Sequence, residues 1–117
     1  MAGTQAHPDE PTNDSASVIV AGRVYVDPAR RAEFIAGTGA IVERAREHPG
    51  YLDLAFSPGP IDPGPIDPGR VNIFEHFESR LALDVWRADV SAPEPRVPLR
   101  RDEMRKHEVV RSGLPFG

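Results

Sequence analysis

The chain contains no cysteine, which excludes disulfide bonds, thiolate metal sites and cysteine nucleophiles. Basic residues are also few, since 14 Lys and Arg stand against 18 Asp and Glu, for a formal net charge of -4. A protein that binds nucleic acid needs a basic surplus to neutralise phosphates, so nucleic acid is not an expected partner. The four histidines show no metal-ligand spacing, and a metal site is not expected.

Long apolar runs are missing as well. None approaches the roughly 20 residues that a membrane-spanning helix needs, so no membrane partner is expected. The N-terminal stretch is polar and acidic, unlike a signal or transit peptide, and a cytoplasmic location is the default expectation. Residues 1–16 have no hydrophobic period and are predicted to be a disordered tail, which leaves residues 17–117 as one domain with a modest core.

The most informative stretch reads as a strand that leads directly into a helix. Side chains alternate across a strand, so one face carries Val71, Ile73, Glu75 and Phe77 and the other carries Asn72, Phe74 and His76. Both faces hold bulky apolar groups, which predicts that the strand is covered on both sides. Ser79 is suited to cap the helix that follows, and this helix carries Leu83 and Trp86.

The remaining elements follow from similar signals. Residues 17–26 and 51–57 read as strands, and a helix opens at Asp27-Pro28 and stops before Pro49-Gly50. Spacings of three and four predict one buried stripe on this helix, formed by Phe34, Thr38, Ile41, Val42 and Ala45. Gly22, inside the first strand, predicts a bulge or a close approach by another group. One or two helical turns are predicted within residues 99–104, and a last strand over 105–111.

Residues 58–69 contain five prolines and a tandem copy of Gly-Pro-Ile-Asp-Pro that closes with Gly69. Proline cannot donate to a sheet ladder, so this segment is predicted to be a stiff loop between two strands. It could cover a pocket, but surface loops accept such repeats at little cost. We therefore expect the loop to contribute little to folding.

The predicted order of elements is β-α-β-β-α-β, the α+β ferredoxin-like pattern with helices on one face of an antiparallel sheet. Helices on one face leave the other face of the sheet uncovered. Because the strands read as apolar on both faces, the sequence predicts a second sheet there. The simplest supplier is a second copy of the chain, which predicts a homodimer joined through the sheet faces, a dimeric α/β barrel.

These residues resemble the antibiotic biosynthesis monooxygenase family of dimeric α+β barrels, over residues 18–111. The resemblance depends on Asp27-Pro28 after the first strand, on Pro49-Gly50, and above all on the segment from Glu75 to Ser79 with Ala82 after it. It implies a small homodimer that oxidises an aromatic polyketide or quinol-like molecule with O₂ and without metal or flavin. In such chemistry an electron-rich phenolate itself reduces oxygen, while the protein binds it, helps to remove a proton and excludes water.

The chain also departs from the family. Members that oxidise polyketides carry asparagine, tryptophan and tyrosine at positions that fall here on Ile73, Phe77 and Leu83. Haem-degrading relatives need an asparagine on strand one and a further histidine, positions that here hold Ala21 or Gly22 and Arg96. The resemblance therefore argues against haem degradation and transfers no complete catalytic set.

Glu75 is the candidate catalytic residue. A carboxyl group in apolar surroundings holds a proton more readily than one in water, which suits a general base. The alternative is a structural carboxylate bonded to a donor such as Arg23 or Tyr25. The predicted substrate-binding residues are Phe34, Ile73, Phe77, Leu83 and Trp86. Trp86 could stack on a flat aromatic ligand, or it could anchor its helix in the core.

Two functions therefore remain open from the sequence. The first is a cofactor-independent monooxygenase that acts on an aromatic molecule between sheet and helices, with Glu75 assisting deprotonation. The second is a non-catalytic dimeric module that binds a small molecule or has a structural role. The apolar residues at 73, 77 and 83 favour the second function, and the retained Glu75 favours the first.

Overall fold

The computed structural model describes residues 16–59, 66–90 and 96–116. The predicted disordered tail, residues 1–16, lies outside the described residues except for Ala16. The centre of the proline-rich loop, residues 60–65, also lies outside them. Among the described helices, none has the length and apolar character needed to cross a membrane.

The described residues form an antiparallel sheet of four strands in the order β2-β3-β1-β4, with helices packed on one face. In chain order the elements are β1 (Val18–Tyr25), a 3-10 turn (Pro28–Arg30), α1 (Arg31–Ala36), α2 (Gly39–Arg46), β2 (Tyr51–Pro58), β3 (Arg70–Phe77), α3 (Arg80–Asp89) and β4 (Arg101–Glu108). This is the α+β ferredoxin-like fold that the sequence predicts.

Both predicted helix caps are confirmed. The Ala29 amide donates to Asp27 Oδ1 at 2.9 Å, and the Ala82 amide donates to Ser79 Oγ at 3.0 Å. The first predicted helix is in fact two, because α1 ends at Ala36 and α2 begins at Gly39. Thr38 lies at the break, where its buried hydroxyl donates to the Ile35 carbonyl at 2.7 Å.

The core lies between the sheet and the helices and consists of two clusters. The first contains Val18, Val20, Ala45, Leu54, Phe77, Leu83 and Trp86, and the second contains Val24, Val26, Phe34, Val71 and Val97. The predicted helical stripe supplies members of both clusters, Ala45 to the first and Phe34 to the second. Alternation along β3 correctly places Val71, Ile73, Glu75 and Phe77 on one face, and this face lies toward the helices.

The last strand is a correction to the sequence prediction. It spans Arg101–Glu108 rather than 105–111, and no helical turn forms within residues 99–104. Met104 is the single apolar residue of β4, so the strand has charged side chains on both faces and no apolar alternation to read. Pairing with β1 sets its register, in which Gly22 lies opposite Met104.

The expectation that every strand is apolar on both faces is therefore wrong for β4. Strand β2 differs in another way, because a register shift between Tyr51 and Asp53 marks a β-bulge at Leu52. Strict alternation would place Leu52 on the helix-facing side with Leu54, yet Leu52 is 48% exposed whereas Leu54 is buried. A single extra residue thus turns Leu52 away from the core.

The end of the proline-rich loop is fixed to the sheet by Arg100. Its guanidinium donates from Nη2 to both Asp67 carboxylate oxygens, at 2.9 and 3.1 Å, and from Nε to the Val26 carbonyl at 2.9 Å. The Gly69 amide also donates to Asp67 Oδ1 at 2.7 Å, and the Val26 amide donates to the Gly69 carbonyl. Residues 67–69 are therefore bonded to the rest of the fold, and how much the loop contributes to folding stays a prediction.

We expect Asp67→Asn to lower the melting temperature at pH 7. The hydrogen bond from the Gly69 amide and those from Arg100 favour the charged carboxylate and hold the pKa of Asp67 below its usual value. A lowered folded-state pKa gives stability that is present above the ordinary aspartate pKa of about 4 and is lost as the pH falls through the folded value. Thermal melts should therefore show the difference from wild type shrinking below about pH 4.

Deletion of one five-residue repeat provides the control for this prediction. Whichever copy is removed, an identical Gly-Pro-Ile-Asp-Pro-Gly segment remains to supply the aspartate and glycine that Arg100 holds. The free energy of unfolding should then change by less than about 1 kcal/mol, the scale expected for shortening a loop. A deletion that lowers the melting temperature more than Asp67→Asn does would contradict this account.

Candidate functional site

A cavity of about 490 Å³ lies between the sheet and α3, and we refer to it as the large cavity. Its apolar lining is Val20, Val24, Phe56, Ile73, Leu83 and Met104. Its charged lining is Glu75, Asp84, Arg87, Asp102, Arg105 and Lys106. This volume falls in the range of small-molecule sites, although the lining is half charged and therefore more polar than is usual for them.

Glu75 lies on the helix-facing side of β3, between Val20 of β1 and Leu54 of β2. Its side chain is only 13% exposed, so its carboxylate needs a partner. Arg87 of α3 is that partner, donating from Nη2 to Glu75 Oε1 at 2.6 Å, while its own side chain remains 51% exposed. The pair combines a largely buried carboxylate with a guanidinium that reaches solvent.

The partners proposed from the sequence for Glu75 are incorrect. Arg23 and Tyr25 lie on the opposite face of the sheet, where both donate to Glu103 at 2.8 and 2.9 Å. These hydrogen bonds, the one from Arg23 foremost, hold the pKa of Glu103 below its usual value. Sequence reasoning missed Arg87, although it lies four residues after Leu83 and residues at that spacing share a helix face.

A second cavity of about 260 Å³, the small cavity, adjoins the first. Both cavities are lined by Val24 and Ile73, so they meet at these two side chains. The rest of the small cavity is formed by Phe34 of α1 and by residues 96–99, the segment that leads into β4. The two cavities together extend along the interface between the sheet and the elements that cover it.

The predicted substrate-binding residues divide between the cavities and the core. Ile73 and Leu83 line the large cavity, and Phe34 lines the small one together with Ile73. Phe77 and Trp86 line neither of these two cavities; they are buried in the core with ring centroids 6.2 Å apart in a stacked arrangement. Contact of these five residues with a substrate remains a prediction.

Trp86 also contacts His48, which lies between α2 and β2. The two ring centroids are 5.1 Å apart in an edge-on arrangement, and only 15% of the His48 side chain is exposed. His48 donates from Nε2 to Asp89 at 2.9 Å, and Arg44 donates to the same carboxylate at 2.8 Å. These contacts hold the pKa of Asp89 below its usual value and join the ends of α2 and α3.

The site offers a proton acceptor beside an apolar surface. Glu75 can accept a proton from a molecule held against Ile73 and Leu83, and Arg87 supplies a positive charge for an anion that forms there. In the part of the chain that the structure describes, no group of His, Cys, Asp and Glu could hold a metal ion.

Comparison with known proteins identifies a family. The family model described as antibiotic biosynthesis monooxygenase matches residues 17–90. No functionally curated protein matches the chain.

Solved structures of low sequence identity share the fold. A protein of Chloroflexus aurantiacus assigned to the antibiotic biosynthesis monooxygenases is 22% identical, with a TM-score of 0.62 over 87% of this chain and 100% of that one. A haem-degrading protein of Mycobacterium tuberculosis is 18% identical, with a TM-score of 0.59 over 83% and 98%. Another Mycobacterium tuberculosis protein is 21% identical, with a TM-score of 0.57 over 85% and 100%.

Proposed function

We propose a function from the premise that the chain belongs to the antibiotic biosynthesis monooxygenase family, whose model matches residues 17–90. The protein is a cofactor-independent monooxygenase that acts on an aromatic polyketide or quinol-like molecule bound in the large cavity. One observation carries the proposal: a largely buried carboxylate, Glu75, lines a cavity of about 490 Å³ beside apolar side chains such as Ile73 and Leu83.

In this proposal Glu75 accepts the proton whose removal turns the substrate into an electron-rich anion. With an anthrone, O₂ then oxidises the ring CH₂ group to a carbonyl; one oxygen atom enters the product and the other leaves as water. Arg87 stabilises the negative charge as the proton is removed. Ile73, Leu83 and Phe34 contact the ligand, while Phe77 and Trp86 pack in the same core cluster as Leu83 and hold it in position.

Oxygen uptake by the wild-type protein with a panel of anthrones and quinols tests the activity. We expect uptake above the uncatalysed rate with at least one of them and with no added cofactor. Oxygen consumption no faster than in buffer, across the whole panel, would contradict the enzyme and favour a binding module.

A non-catalytic binding module is the second candidate, and the Glu75–Arg87 pair favours it. An ion pair between β3 and α3 can serve structure alone, as in many proteins. Ile73, Phe77 and Leu83 also lack the polar and indole groups of the polyketide-oxidising relatives. Haem degradation, which one structural neighbour carries out, is not part of the proposal, since the relevant positions hold Ala21 or Gly22 and Arg96.

We also propose a homodimer joined through the open face, the face of the sheet away from the helices. Family members are often dimeric, and the apolar side chains of Ile19, Ala21 and Phe74 are only partly buried on this face. His76 lies beside them and bonds Ser17 Oγ at 3.1 Å. A second sheet on this surface would remove these apolar groups from water.

Sedimentation at micromolar concentration should give twice the mass of one chain. Phe74→Asp should yield a folded monomer, because it places a charge in the centre of the interface. Leu81→Asp is the matched control, since Leu81 lies on α3 and is 71% exposed, and this variant should remain dimeric. A well-folded wild-type monomer would disprove the dimer.

A further inference from the structure

The small cavity is apolar except for one side chain. Its lining residues are Val24, Phe34, Ile73, Val97, Pro98 and Leu99, together with Arg96. Val24, Phe34 and Val97 are almost fully buried and form its floor, whereas Arg96 and Leu99 are exposed at its edge. A molecule that enters would therefore meet an apolar floor and a single positive charge at the entrance.

Arg96 makes no hydrogen bond or ion pair through its side chain with any of the described residues 16–59, 66–90 and 96–116. The neighbouring cation, Arg30, is committed elsewhere, because it donates to both Glu33 carboxylate oxygens at 2.9 and 3.1 Å. Arg30 reaches Arg96 only through the Arg96 backbone carbonyl, at 3.5 Å. The guanidinium of Arg96 is thus available to an anionic ligand.

The backbone that carries Arg96 is held in place by the residues that follow it. Val97 is 6% exposed and packs in the second core cluster, and the Arg100 amide donates to the Tyr25 carbonyl. Arg100 is further fixed by its contacts with Asp67 and Val26. Arg96 therefore lies on an anchored segment. A specific binding site needs its charged groups held in position in this way.

We propose that the small cavity binds the ring of an aromatic carboxylic acid, with the ligand carboxylate paired to Arg96. A cavity of about 150 Å³ accepts benzene, so about 260 Å³ accommodates two fused rings. A guanidinium binds a carboxylate through two parallel hydrogen bonds, which gives geometric selection as well as charge. Because Val24 and Ile73 line both cavities, the same ligand can extend toward Glu75.

The substrate of the proposed oxygenase would then be an aromatic carboxylic acid, and this part of the inference depends on the proposed function. Ligand binding itself does not depend on turnover. Binding and oxygen uptake can therefore fail separately, and the test uses binding.

The test compares 2-naphthoate with 2-naphthamide, which has the same rings but no charge, by calorimetry and by amide chemical shifts of Val24 and Val97. Wild type should bind naphthoate about tenfold more tightly than the amide, the scale of one charge-assisted contact. Arg96→Gln should remove this preference and leave naphthamide binding unchanged. The preference should also weaken at high salt, because Arg96 is exposed.

Arg46→Gln is the matched control, since Arg46 is an exposed arginine of α2 that lines neither cavity. It should bind both probes as wild type does. Equal binding of acid and amide by wild type, binding of neither, or an equal effect of the two arginine substitutions would overturn the proposal. Naphthoate binding without any oxygen uptake across the anthrone and quinol panel would uphold this site and contradict the oxygenase instead.

Discussion

Gly22→Ala should lower the free energy of unfolding by about 3 kcal/mol, because this position permits no side chain. Gly22 has φ 147°, a conformation that L-residues rarely adopt, and a Cβ added there would lie 2.3 Å from the Glu103 carbonyl oxygen. That oxygen belongs to the backbone of β4, which cannot move without breaking its pairing with β1. The close approach that the sequence predicts at Gly22 is thus made by the neighbouring strand.

Gly39→Ala is the matched control for this prediction. Gly39 begins α2, and nothing lies within 4 Å of a Cβ placed there. The substitution should stabilise the protein by up to about 1 kcal/mol, because alanine favours a helix more than glycine does. Urea denaturation of both variants measures the difference. Equal midpoints for Gly22→Ala and wild type would show that the two strands can separate without cost.

The elements that sequence reasoning located correctly have strong periodic signals. β1 and β3 alternate long enough to fix their helix-facing sides, and caps at Asp27 and Ser79 fix where helical structure begins. β4 was misplaced because it is an edge strand whose register depends on pairing with β1, a contact between residues about 80 positions apart. Local composition carries little information about such a contact.

For the site, side-chain alternation along β3 predicts the face of the sheet on which Glu75 lies, but it does not predict the residue that bonds to Glu75. It correctly placed Glu75 on the side of the sheet that faces the helices, where the large cavity lies. The same rule, applied to β1, excludes Arg23 and Tyr25 as partners of Glu75, since both lie on the opposite face of the sheet. The spacing from Leu83 places Arg87 on the same face of α3, and the packing of Leu83 and Trp86 in the core turns that face toward Glu75.

Glu75→Gln should reduce turnover by roughly 10²–10⁴, the usual scale for general acid–base catalysis, while the fold and the binding of aromatic ligands persist. The amide has nearly the shape of the carboxylate but cannot accept the substrate proton. Arg87 would lose its charged acceptor, yet its side chain is 51% exposed and remains hydrated. A purely structural Glu75 would show the reverse pattern, with a lower melting temperature.

Asp84→Asn supplies the control for charge. Asp84 is an exposed residue of α3 that also lines the large cavity, so its substitution removes one negative charge from the same space. If Glu75 acts by accepting the substrate proton, and not merely by adding negative charge to the cavity, Asp84→Asn should retain wild-type turnover. An equal loss in both variants would assign the effect to charge alone.

The most direct test of the account is the oxygen-uptake rate of Glu75→Gln relative to wild type, on one substrate that the wild type oxidises. We predict a rate at least about 100-fold lower, with an unchanged melting temperature, because the carboxylate removes the proton that starts the reaction. Full activity in Glu75→Gln would contradict the account, since the reaction would then need no proton acceptor at this position.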